Sequence, residues 1–144
     1  MKNFGIVYHP LNEGAKAAAG EIESFLLSRG LFVWLCSAWE SDCLKQNLPH
    51  MDCVITVGGD GTILRTSQAV IPHAIPIIGI NLGKVGFLTE IDPAAATEKI
   101  ALLLDGGGWM DERVMLEARL FDEGNNEIRT FNVLNDIVIA RGEI

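Results

Sequence analysis

A lone aspartate flanked by glycines, Gly58-Gly59-Asp60-Gly61-Thr62, is the stretch of this sequence best suited to chemistry. It follows the apolar run Val54-Ile55-Thr56-Val57 and leads into Ile63-Leu64-Arg65, so the pattern predicts a buried strand, a glycine-rich turn and the start of a helix. Glycines without Cβ let a ligand approach the backbone. The unpaired amides that open the helix, near Gly61 and Thr62, attract anions. The spacing matches neither the GxxxxGK(S/T) loop nor the GxGxxG fingerprint, which excludes both of those phosphate-binding motifs. The alternative to a ligand site is a tight turn in which Asp60 merely caps the helix. The glycines on both sides of a single carboxylate favour function.

A second segment, Gly79-Ile80-Asn81-Leu82-Gly83-Lys84-Val85-Gly86-Phe87-Leu88-Thr89, again leaves a buried strand, this time into a loop. Asn81 offers donors and an acceptor, Lys84 a cation, and Phe87 an apolar face for a flat ring. Taken alone, the segment reads better as an ordinary strand exit with Phe87 in the core. If the two segments leave adjacent strands, they line one crevice.

The elements that must position these residues are legible as short, nearly continuous apolar runs at 4–8, 31–36, 53–57 and 75–80, the pattern of strands covered on both faces. Between the first two, Ala18, Ile22, Phe25 and Leu26 share a helical face that Gly30 closes. After Ile91, Asp92 is placed to cap, Pro93 suits the first helical position, Ala96, Ile100, Leu103 and Leu104 share a face, and Gly106 stops the helix. Strands alternating with helices predict the α/β class, a Rossmann-like parallel sheet with helices on both faces and its ligands at the carboxyl ends of the strands. Beyond Gly108 the pattern changes to alternation from Val114 to Asp122, turn residues from Glu123 to Asn126, and a strand-like run to Ala140, which predicts an antiparallel hairpin. The expected organisation is an α/β nucleotide-binding domain over 1–108 and the incomplete start of a β-rich second domain over 109–144.

The 144 residues suffice for one compact domain with a core, and the 49% hydrophobic and 21% charged content is that of a folding globular chain. No apolar run approaches the roughly 20 residues of a membrane helix and the start lacks the apolar stretch of a signal peptide, so the cytoplasm is expected. A formal net charge of -8 argues against nucleic acid and anionic membranes as partners. Phosphates would then be held by backbone amides, a helix N-terminus, a metal ion and a few cations. Cys36, Cys43 and Cys53 have neither disulfide nor zinc spacing and read as buried small residues. His9, His50 and His73 are scattered and read as surface or turn residues. Trp34, Trp39 and Trp109 read as core or interface anchors.

Gly58-Gly59-Asp60-Gly61-Thr62, the 81–89 segment and Asn132-Val133-Leu134-Asn135-Asp136 together are similar, in order and spacing, to the motif series of NAD kinases. The glycine turn alone is shared with diacylglycerol and sphingosine kinases and with phosphofructokinases; the second segment is far more specific. The resemblance implies phosphoryl transfer from ATP or polyphosphate to the 2′-hydroxyl of the adenosine ribose of NAD, giving NADP. Asp60 resembles the catalytic aspartate and would act as base. Gly61 and Arg65 resemble its neighbouring ligand contacts, Phe87 a substrate-pocket aromatic, and Asn135 with Asp136 the pair that grips NAD. Gly58, Gly59, Gly61 and Thr62 would cradle the donor phosphates, with Mg2+ arriving on the donor and no metal site of the chain's own. The family more often has Glu where Asp136 stands, and a shorter reach to the ribose follows.

Asn135 and Asp136, as neighbours, would point to opposite faces of a regular strand, so either the strand is irregular there or only one of them meets ligand. The apolar residues around Asp136 suggest a partnered carboxylate. The family continues into a second domain that supplies much of the NAD pocket, and a homo-oligomer is expected of the complete protein. The chain by itself is expected to be a poor catalyst. The rival readings are a lipid kinase of the diacylglycerol or sphingosine type, disfavoured by the acidic balance, and a non-catalytic nucleotide-binding fragment.

Overall fold

The computed structural model describes residues 1–71, 73–83, 86–89 and 91–140. Four strands, β1 (Asn3–Tyr8), β2 (Phe32–Ser37), β3 (Cys53–Gly58) and β4 (Ile77–Asn81), form an all-parallel sheet in the order β2-β1-β3-β4. Alternation along the strands sends side chains to two separate cores. Phe4 and Ile6 of β1 with Cys53, Ile55 and Val57 of β3 meet Ala15, Ala19, Ile22 and Leu26 of helix α1 (Glu13–Ser28) and Ala96 and Ile100 of a later helix, α4 (Ala96–Leu104). Val7 and Val54 face the other way, onto Leu44 of helix α2 (Ser41–Asn47), Leu48, and Ala69 and Val70 of helix α3 (Asp60–Val70). Every residue of β3 is buried, as its nearly continuous apolar run predicts, whereas edge strand β2 starts exposed at Phe32. No described helix is long and apolar enough to cross a membrane.

Local signals explain the helix ends. Asn12 caps α1 by accepting the Ala15 amide, and Gly30 follows the helix at φ +74°, a conformation that favours glycine. Asp92 accepts the Ala94 amide as expected, but Pro93–Ala95 form a 3-10 turn before α4 begins. Helix α2 was not foreseen, because seven residues contributing a single buried side chain, Leu44, carry no periodic signal.

The chain divides into two compact units, Met1–Met110 and Asp111–Ile144. In the second, β5 (Met115–Phe121) and β6 (Glu127–Leu134) pair antiparallel around a turn in which Asp122 accepts the Asn126 amide at 2.8 Å. The expected strand to Ala140 ends at Leu134 instead. Asn135 takes a left-handed backbone conformation at φ +68°, its amide donating to the Val114 carbonyl, and this breaks the alternation. Asp136 is exposed rather than partnered by neighbouring groups, and Val138 and Ile139 beside it are exposed as well.

Candidate active site

The sheet has one point where its connections reverse. The chain leaves β1 for β2 on one side and then crosses to β3 on the other, so the carboxyl ends of β1 and β3 diverge, and α/β sheets bind ligands in such a crevice. A cavity of about 360 Å3 lies there. It is lined by His9 and Asn12 after β1, by Gly58 at the end of β3 with Gly59, Gly61 and Thr62 beyond it, and by residues 81–83 from the end of β4 onward. The two sequence segments therefore do meet, and a third, from β1, joins them. The sequence alone presents His9 as a surface or turn residue. The signal that finds it is the strand order, which puts the end of β1 beside the glycine turn.

Asp60 is not part of that lining. Gly59 is the N-cap of α3 and Asp60 its first residue, with no capping bond from its side chain, so the helix-cap alternative fails. The carboxylate instead holds the second segment. The Phe87 amide donates to Oδ2 at 2.9 Å, the Leu88 amide to Oδ1 at 3.1 Å, and the Thr89 hydroxyl to Oδ1 at 3.3 Å. Burial pushes the Asp60 carboxyl upward, but these bonds from Phe87, Leu88 and Thr89 outweigh it and hold the group below the usual carboxylate range. The approach is close enough that a Cβ on Gly86 would collide with the carboxylate and stand 2.7 Å from the Thr89 hydroxyl. At Gly58, likewise, a Cβ would run into the Thr62 hydroxyl. Glycine is required at both positions by protein atoms, whereas Gly59 and Gly61 face open space.

Phe87 is 93% exposed, which excludes the core alternative. Arg65 lies on the surface and lines a separate, smaller depression with Lys45, Ser41 and Gln68. Lys84 lies outside the described residues. Asn135 and Asp136 belong to the second unit, where the left-handed turn at Asn135 supplies the irregularity that two neighbouring contacts require. Among the tryptophans, Trp34 packs partly buried on the second core, Trp39 meets His9 edge-on, and Trp109 is exposed.

No carboxylate lines the cavity, so the described residues offer it no cage for Mg2+, which prefers several oxygen ligands. Cys36, Glu40 and Cys43 form the one group of three potential metal ligands among the described residues, and their thiols do not suit that ion. Cys36 is buried and its thiol donates to Glu40 at 3.1 Å; burial first, then Glu40, pushes its pKa far up. Cys53 is buried too, and burial raises its thiol to about 12.

The family profile for the ATP-NAD kinase N-terminal domain matches residues 34–108, more than half of the chain and the part that holds both glycine-bearing segments. NAD kinase of Dehalococcoides mccartyi is 45% identical over 143 residues, covering 99% of this chain and 50% of that protein. NAD kinase of Chloroflexus aggregans is 31% identical over 144 residues, covering 100% of this chain and 52% of that protein. The chain spans about half the length of the curated relatives it matches. A crystal structure of yeast NADH kinase complexed with NADH superposes with a TM-score of 0.71 at 17% identity, covering 93% of this chain and 46% of that one, which shows the same fold. Matched by the family profile over more than half of its length and 45% and 31% identical to these NAD kinases over nearly all of it, the chain belongs to the NAD kinase family.

Proposed function

We propose that this chain carries the phosphoryl-transfer half of an NAD kinase, which moves the terminal phosphoryl of ATP or polyphosphate to the adenosine ribose 2′-hydroxyl of NAD. The observation that carries the reading is the junction of both family segments at Asp60, a carboxylate tied to residues 87–89 at the mouth of the sheet. In the reaction the 2′-oxygen bonds to the terminal phosphorus, the bond from that phosphorus to the leaving phosphate oxygen breaks, and the hydroxyl proton passes to Asp60. The Phe87 and Leu88 amides and the Thr89 hydroxyl bond the carboxylate and the Thr89 amide also acts on it, so the substrate hydroxyl would share a lone pair with one of these donors or displace it. Its lowered pKa keeps it ionised at neutral pH, and a weak base suffices where the transition state is loose and positioning carries most of the catalysis.

Gly58, Gly59, Gly61 and Thr62 would hold donor phosphates at the α3 N-terminus. Mg2+ would travel on those phosphates and supply the positive charge that a chain of net charge -8 lacks. The exposed ring of Phe87 is free to stack on a base of NAD, and Arg65 would reach ligand only from its neighbouring depression. Residues 109–144 would begin the NAD-binding second domain, with Asn135 and Asp136 directed to ribose. The reading carries with it a cytoplasmic enzyme that works as a homo-oligomer.

The test is Asp60→Asn in the full-length enzyme, assayed for NADP formation. Loss of a general base predicts a fall of about 10²- to 10⁴-fold in turnover. Asn keeps one acceptor and turns an NH2 toward donors, so thermal unfolding is measured beside it to separate lost chemistry from a lost loop anchor. Near-normal turnover would sink the base assignment.

A further inference from the structure

We propose that His9 is a donor-phosphate ligand that forms, with Thr62, an anion seat at the point where the sheet's connections reverse; the inference rests on reading the cavity as the site of the phosphoryl donor. His9 Nδ1 and Thr62 Oγ1 are the two buried side-chain polar atoms without a hydrogen-bond partner among the described residues. Buried polar groups are nearly always satisfied, and an exception asks for a ligand. Both exceptions here line the same cavity, one from the end of β1 and one from the turn after β3. Thr62 is only 2% exposed, so that cavity is the natural source of a partner for its hydroxyl.

The surroundings suit an anion. Asn12, the N-cap of α1, and Gly59, the N-cap of α3, both line the cavity, so two helices direct the positive ends of their dipoles toward it. No carboxylate lines it, and His9 is its one titratable residue among those described, although the chain is acidic overall. The imidazole is held in place. Its backbone amide donates to the Val57 carbonyl at 3.0 Å, and its ring meets Trp39 edge-on with centroids 5.9 Å apart. Gly58 keeps the gap open between the two groups, since a Cβ there would strike the Thr62 hydroxyl and stand 3.2 Å from the His9 Cβ. The glycine that ends β3 thus serves the seat as much as the turn.

Calorimetric titration of the full-length enzyme with inorganic tripolyphosphate, ATP and NAD tests this without turnover, so it can fail while NADP formation and its dependence on Asp60 stand, and the reverse. His9→Gln, whose amide falls nearer the Nε2 position, should weaken tripolyphosphate and ATP binding by about tenfold, the loss expected for one charge-assisted hydrogen bond. His9→Asn, whose amide falls nearer Nδ1, should retain most of the affinity, and NAD binding should be unchanged in both. The proposal is overturned if the wild-type enzyme binds no tripolyphosphate, if His9→Gln binds it as tightly as wild type, if Gln and Asn lose affinity equally, or if NAD binding falls instead. Should His9→Gln fail to fold, the imidazole nitrogen resonances of the wild-type enzyme decide. A shift of Nδ1 on adding tripolyphosphate supports the seat, and an unmoved resonance removes it.

Discussion

Asp60 and Thr62 stand two residues apart on the first turn of α3, and the fold treats them in opposite ways. Asp60 is only partly buried, yet three donors from residues 87–89 converge on its carboxylate. Thr62 is almost wholly buried, yet its hydroxyl has no partner among the described residues. Burial alone would lead one to expect the reverse, because unsatisfied polar atoms cost most where water is excluded. One side of the turn is completed by the protein, fixing the loop that carries Phe87. The other side is left for a ligand to complete. Asp60 belongs to both, since the carboxylate that anchors the loop is also the proposed acceptor of the substrate proton.

Asp60→Asn carries the largest expected effect, the loss of turnover stated above, because it acts on both sides at once. Gly86→Ala comes next. It leaves the carboxylate chemically intact but puts a methyl group against Asp60 and the Thr89 hydroxyl, both held in place, so overpacking should cost about 1–3 kcal/mol of stability. Denaturant unfolding checks it, and an unchanged midpoint would mean that residues 86–89 are not seated on Asp60 as described. Phe87→Ala probes the outer edge of the same loop. Its exposed ring predicts a stability change within about 0.5 kcal/mol, while NAD binding in the full-length enzyme should weaken by about 1–3 kcal/mol if the ring stacks on a base. A large stability loss with unchanged NAD affinity would take Phe87 out of the site.

Much of this arrangement is legible in the sequence for physical reasons. β3 is buried along its whole length, which its nearly continuous apolar run from Cys53 to Val57 announces, and the one polar side chain in that run, Thr56, donates to the Ile78 carbonyl. Ile22, Leu26 and Gly30 mark α1 in the sequence, while Asn12, which caps it, carries no distinguishing pattern of its own. What escaped depends on contacts between distant segments. His9 looks like an isolated histidine until the order β2-β1-β3-β4 brings the end of β1 to the glycine turn. The aim of the Asp60 side chain depends on a loop 27 residues away. Asn135-Asp136 shows the middle case: alternation exposed a conflict, and only the structure shows that β6 ends at Leu134 and the backbone turns left-handed at Asn135.

The division between the two sides of the turn is tested most directly by replacing its two threonines with valine, which keeps the shape and removes the hydroxyl, and measuring stability and tripolyphosphate binding together. Thr89→Val removes a bond that the protein makes for itself, so it should lose about 0.5–1.5 kcal/mol of stability and keep its affinity for the anion. Thr62→Val removes a hydroxyl with no partner among the described residues, so its stability should hold or rise slightly while anion binding weakens. A Thr62→Val chain that is destabilised yet binds tripolyphosphate as well as wild type would contradict the account.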